Sequence, residues 1–132
     1  MSRNTRRAVV RRESAHQHFS VLQIHERDDL EKIHPIGEID LYTAPMLRDA
    51  IADTERRQVP NVLVDMSEVP FLALVGVQVL REANERSTDE HRRLALVAPT
   101  HPVRRVLTLT EVTDELEIYV TLPNAMSALT RV

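Results

Sequence analysis

Asp40 and Asp65 each close an apolar stretch with strand character, and the carboxyl ends of strands are where open α/β sheets gather their binding sites. A phosphoaspartate receiver would need a cluster of acids for magnesium and a lysine after a late strand. The single lysine, Lys32, lies far upstream, which excludes that chemistry. Each aspartate then either bonds backbone amides in a turn or cap, or touches a partner. His16, His18, His25, His34, His91 and His101 are scattered, without a helical HxxxH or a facial carboxylate pattern, and read as surface residues rather than metal ligands. Cysteine is absent, which removes disulfides, thiolate nucleophiles and thiolate metal sites together. Gly37 and Gly76 are the only glycines, too few for a P-loop or a dinucleotide fingerprint. Ser67 and Ser87 lack the GxSxG frame of a hydrolase elbow, and Ser67 reads as a turn residue beside Glu68. No catalytic residue, metal or cofactor is expected from these patterns.

The elements that would position these side chains alternate. The stretch FSVLQIHER at 19–27 reads as a strand, Asp28 and Asp29 supply a turn, and KIHPIGEID at 32–40 resumes an extended pattern, so the two form a hairpin. Pro35 cannot donate to a ladder and is expected at an edge or irregularity. Thr43 reads as an N-cap with Pro45 in the first turn, and Leu47, Ala50, Ile51 and Thr54 follow at helical spacing. The run NVLVDM at 61–66 is nearly continuous in apolar residues, as a central parallel strand requires. A second helix sets Gly76, Val79, Leu80 and Ala83 on one face and Leu74, Gln78, Arg81 and Glu85 on the other. RLALVAP at 93–99 is another buried strand, after which Thr100 caps a helix that turns Val103, Val106 and Leu107 inward. ELEIYV at 115–120 is the last strand, and Thr121 opens a terminal helix burying Leu122, Ala125, Met126 and Leu129. A hairpin followed by alternating helices and strands predicts an α/β fold: a mixed, mostly parallel sheet of about five strands with about four helices.

The 132 residues suffice for one domain and one core, with 42% hydrophobic and 28% charged residues in a globular balance. No apolar run reaches the length of a membrane span and no secretory signal is evident, so a cytoplasmic location is expected. The net charge of -3 hides an asymmetry, because residues 1–12 hold Arg3, Arg6, Arg7, Arg11 and Arg12 and no acid. The rest carries 12 basic and 20 acidic side chains, a balance of -8 that disfavours a phosphate backbone, and no interleaved aromatics offer base stacking. Residues 1–15 are expected to form a disordered basic tail whose removal leaves the fold intact, and 16–132 the folded domain. Sixteen arginines against one lysine suggest a GC-rich bacterial genome.

Three strings then come together in order: GEIDLYTAPMLRDAI, NVLVDMSEVPFL before a glycine-containing helix, and RLALVAPTHPVRRVLTLTEVTDELEIY. Over about residues 19–131 the chain resembles the bacterial anti-sigma factor antagonist branch of the STAS domain family. The resemblance implies a STAS fold and a switch rather than a catalyst. Such a switch binds a cytoplasmic anti-sigma factor of histidine-kinase-like ATPase fold and so releases a sigma factor. In the family pattern the strand holding Asp65 leads to Asp-Ser-Ser-Gly, whose second serine accepts phosphate. Here the tetrad is Ala73, Leu74, Val75 and Gly76, and Val75, at the acceptor position, has no hydroxyl. The implied partner-binding residues are Asp40, Thr43, Leu74, Val75, Gly76, Gln78 and Arg81. The aliphatic pair Leu74 and Val75 either forms a contact patch or folds inward as core. A different class of function stays open beside this one: a small-ligand sensor, or a structural STAS module in a larger signalling assembly.

Overall fold

The computed structural model describes residues 8–15 and 18–130. Its elements run β1 (Val9–Glu13), β2 (Ser20–Arg27), β3 (Leu30–Ile36), α1 (Ala44–Arg56), β4 (Asn61–Asp65), α2 (Leu74–Asp89), β5 (Arg93–Val97), α3 (His101–Leu109), β6 (Glu117–Tyr119) and α4 (Leu122–Leu129). The six strands lie side by side in sequence order. β1, β2 and β3 pair antiparallel, whereas β3 to β6 are parallel. β4 is therefore interior, as its unbroken apolar run demanded.

Alternation along the strands sorts side chains onto two faces. Val62, Val64, Leu94 and Leu96 join Val21 and Ile33 in a core with Leu47, Ile51, Leu80 and Leu107 of α1, α2 and α3. Leu63, Ala95 and Val97 turn the other way, against Ala125 and Leu129 of α4. Each buried Val, Leu or Ile among these contributes about 1.5–3 kcal/mol. Pro35 lies past Ile33, the last residue of the continuous β3–β4 pairing, where its missing donor leaves no ladder bond unmade. No described helix is long and apolar enough to cross a membrane.

One expectation needs correction. Residues 9–13, placed in a disordered tail, form a sixth strand registered on β2 from Val9 opposite Ile24 to Glu13 opposite Ser20. Arg12 Nε donates to Gln23 Oε1 at 2.7 Å and Ser14 N to Phe19 O at 3.0 Å. An edge strand takes its hydrogen bonds from one neighbour and need not bury either face, so no apolar periodicity marks it. Arg3, Arg6, Arg7 and His16 lie outside the described residues.

The expected caps divide. Thr121 Oγ1 accepts from Asn124 N at 3.2 Å. Thr100 precedes α3 in an extended conformation but makes no cap bond. Thr43 makes none either, because its backbone is already helical at φ -98 and ψ -22, and Asp40 Oδ1 instead bonds the turn before the helix, accepting from Tyr42 N at 2.9 Å and Thr43 N at 3.0 Å.

Candidate surface for a protein partner

Two connections at the carboxyl end of the sheet are laced together. Gly37 N donates to Glu68 O at 3.0 Å, Ile39 N to Phe71 O at 2.9 Å and Ala73 N to Ile39 O at 2.8 Å. These bonds continue the parallel pairing of β3 and β4 as single bridges, Ile36 with Glu68 and Ile39 with Leu72. Gly37 has φ +117, and a Cβ there would stand 2.6 Å from His18 O, so the turn out of β3 requires glycine. Ile39 and Leu72 point into the core, and α2 rests on them through Gly76, where a Cβ would come within 2.6 Å of Leu72 Cδ1 and 2.7 Å of Ile39 Cγ2. The residues beside that buried pair turn outward. Leu41 is 67% exposed, Tyr42 74%, Phe71 48% and Leu74 70%, which is half of the exposed large hydrophobic side chains among the described residues.

The residues singled out in the sequence fall into three groups. Leu74 stands free at the start of α2, and Gln78 and Arg81 follow on the same exposed face. Gln78 donates to Glu82 at 2.8 Å, and Arg81 pairs with Glu115 at 3.1 Å. Val75 is half-buried and packs against the main core, so the aliphatic pair divides: one member is surface, the other largely core. Asp40, Thr43 and Gly76 are supports. The Thr43 hydroxyl is buried, donates to Glu38 O at 2.7 Å and accepts from Asp40 N at 2.9 Å, while Gly76 is buried and presents no side chain.

Ala73 occupies the N-cap of α2 with φ -80 and ψ 165, the correct backbone, but no side chain caps the helix. Asp65 is buried at the end of β4, and its Oδ1 accepts from Ser67 N at 3.0 Å. The turn bonding expected of the two aspartates is thus what each makes.

Sequence reasoning missed four residues here. Leu41, Tyr42 and Phe71 lie in connections rather than periodic elements, though three large apolar residues beside turn chemistry were a usable signal. His34, read as a surface histidine, is instead only 12% exposed at its side chain. Its Nε2 lies 2.5 Å from Glu68 Oε2, and its Nδ1 lies 3.4 Å from Asp65 Oδ2 without hydrogen-bond alignment. Asp65, against the opposing effect of burial, and then Glu68 raise the imidazole pKa above its ordinary value. Burial would raise the Asp65 carboxyl, but the imidazole and the Ser67 amide outweigh it and hold the group low. Which strands pair, and in what register, decides this contact, and neither is visible in single-residue spacing. No described group of His, Asp or Glu is arranged to hold a metal ion.

The STAS domain family matches residues 21–125. The chain belongs to that family. Its relatives there include an anti-sigma-F factor antagonist, RsfB, of Mycobacterium tuberculosis, 29% identical over 93 residues that cover 70% of this chain and 75% of the relative. An anti-sigma-B factor antagonist of Listeria monocytogenes is 29% identical over 98 residues, covering 74% and 86%. The crystal structure of an anti-sigma factor antagonist from Mycobacterium paratuberculosis superposes with a TM-score of 0.80 at 30% identity, covering 90% of this chain and all of that one. The STAS fold expected from the three strings is therefore the observed fold, with one strand more than the sequence suggested.

Proposed function

We propose that this STAS domain is an anti-sigma factor antagonist that binds an anti-sigma factor of histidine-kinase-like ATPase fold, releases a sigma factor, and works without phosphorylation at the family's usual position. The observation that carries the reading is Leu74, exposed at the uncapped start of α2 beside the laced connections that present Leu41, Tyr42 and Phe71. An apolar cluster on rigid, cross-bonded segments suits a partner that presents its own apolar surface. Burying one such side chain fully yields about 1.5–3 kcal/mol, enough for a few residues to dominate the affinity. Val75 offers only carbon at the acceptor position, so no phosphate can be added there to introduce charge into the contact.

The experiment pairs co-purification against each kinase-like anti-sigma factor of the source organism with intact-mass measurement after incubation with ATP. A stable complex with unchanged mass is expected. One added phosphate on the exposed Ser67, or on Thr43 after local opening, would show that the acceptor has moved, and the absence of any complex would contradict the reading outright.

A further inference from the structure

His34 sits on β3 between two carboxylates that approach opposite ring nitrogens, Asp65 at the end of β4 and Glu68 in the connection to α2. A neutral imidazole has one N–H and one lone pair, so it can donate to only one of them, whereas the imidazolium donates to both. We propose that His34 is a protonation-controlled latch that, when charged, ties the β4–α2 connection, residues 66–73, to β3.

The two carboxylates differ in their freedom to move. Asp65 is buried and fixed through Oδ1 by the Ser67 amide, while the side chain of Glu68 is 57% exposed. A deprotonated ring that places its single N–H on Asp65, which cannot leave, turns a lone pair on Glu68, which can, so the short Nε2 contact to Glu68 is the one that the proton at Nε2 holds. Glu68 is the moving arm. The 3.4 Å separation at Nδ1 leaves room for the charged ring to close on Asp65. Release slackens the connection that carries Phe71 and leads into Leu74, although the backbone bonds to Gly37 and Ile39 remain.

The surroundings leave the latch to these three groups. On the same face of β3, Lys32 is engaged with Glu26 at 3.6 Å. Across β2, where Leu22 faces His34, Arg11 of β1 is engaged with Glu13 at 3.2 Å. α4 carries no charged residue, and Leu63 of β4 and Val97 of β5 are apolar. Among the described residues no second cation is recorded on Asp65 or Glu68. The raised His34 pKa agrees with this geometry.

The test is an NMR titration of the full chain, following the His34 ring together with the backbone amides of Gly37 and Val69, with histidine-containing model peptides as external references. His34 should titrate at a higher pH than these references. Glu68→Gln should lower its midpoint, and Asp65→Asn should lower it further. The two amides should shift with the His34 midpoint in the wild type and lose that transition in His34→Gln, and their hydrogen-exchange protection should fall by about tenfold when the ring is neutral. A His34 midpoint at or below the references, or amides indifferent to it, would overturn the latch. A consequence for binding rests on the proposed docking surface: affinity should weaken severalfold as pH rises through the His34 midpoint in the wild type but not in His34→Gln. Binding unchanged across that midpoint contradicts the consequence, and failure to bind at any pH contradicts the docking reading. The titration decides the latch in either case.

Discussion

Leu74 and Val75 are neighbours in sequence but meet different surroundings, so a charge placed on each should read out differently. Leu74→Asp adds a carboxylate to a side chain already in water and should leave circular dichroism and melting temperature unchanged within error. Val75→Glu pushes a charge against the main core, and should lower unfolding free energy in urea by about 2 kcal/mol. Equal effects from both substitutions would mean that the division into surface and core is misplaced. His34 and Asp65 tie stability to pH with opposite signs. His34 has its folded pKa raised above 6.5, so its contribution is fully present below that value and is lost as pH rises through the raised one. Asp65 is held below 3.8, so its contribution is present above that value and is lost as pH falls through the lowered one. Urea midpoints at pH 6 and pH 8.5 should therefore decline for the wild type and change less for His34→Gln. Equal declines would remove His34 from the account of stability.

At the scale of elements, α2 starts with correct cap geometry and no cap. Ala73→Ser supplies a hydroxyl that can accept from a first-turn amide and should raise stability by about 1 kcal/mol, or roughly 4 °C in melting temperature. A lower melting temperature would show that residue 73 is constrained by its bond to Ile39 more than by the helix. With only two glycines in the chain, α1, α2 and α3 end on left-handed Gln58, His91 and Glu111 at φ near +60, followed by bonds such as Arg92 N to Ser87 O at 2.7 Å. Glu111→Gly should relieve that strain and stabilise by about 0.5–1 kcal/mol, checked by the same denaturation. The elements legible in the sequence were those with periodic burial: the helix through Leu47 and Ile51, the run at 61–66, and the strand at 93–97. Caps were legible only as positions. Whether a threonine caps, as Thr121 does and Thr43 does not, depends on backbone angles that residue type alone does not specify.

For the whole molecule, β1 completes a sheet in which every strand neighbours the next in the chain. Deleting residues 1–14 strips the ladder from Ser20–Ile24 and the bond from Arg12 to Gln23, and should lower stability on the order of 2 kcal/mol, roughly 8 °C. The new edge at β2 should promote self-association, visible by size-exclusion chromatography as concentration rises. An unchanged melting temperature would restore the sequence-based view of the segment as a dispensable tail. The opening hairpin and the mostly parallel sheet followed from the alternation of elements, whereas the order of strands and the seat of α4 on Leu63, Ala95 and Val97 depend on pairing and crossover that residue spacing does not specify. The exposed cluster did not follow, because the segments that carry Leu41 and Tyr42 and those that carry Phe71 and Leu74 are brought side by side only by the bonds that lace the two connections together. That cluster carries the central claim, and calorimetric titration of the purified chain and its Leu74→Asp variant into the cognate kinase-like anti-sigma factor tests it most directly. The account predicts that the wild type binds without ATP and that Leu74→Asp, still fully folded, binds roughly thirtyfold more weakly, a difference of about 2 kcal/mol. Equal affinities of the two proteins would place the interface elsewhere and contradict the account.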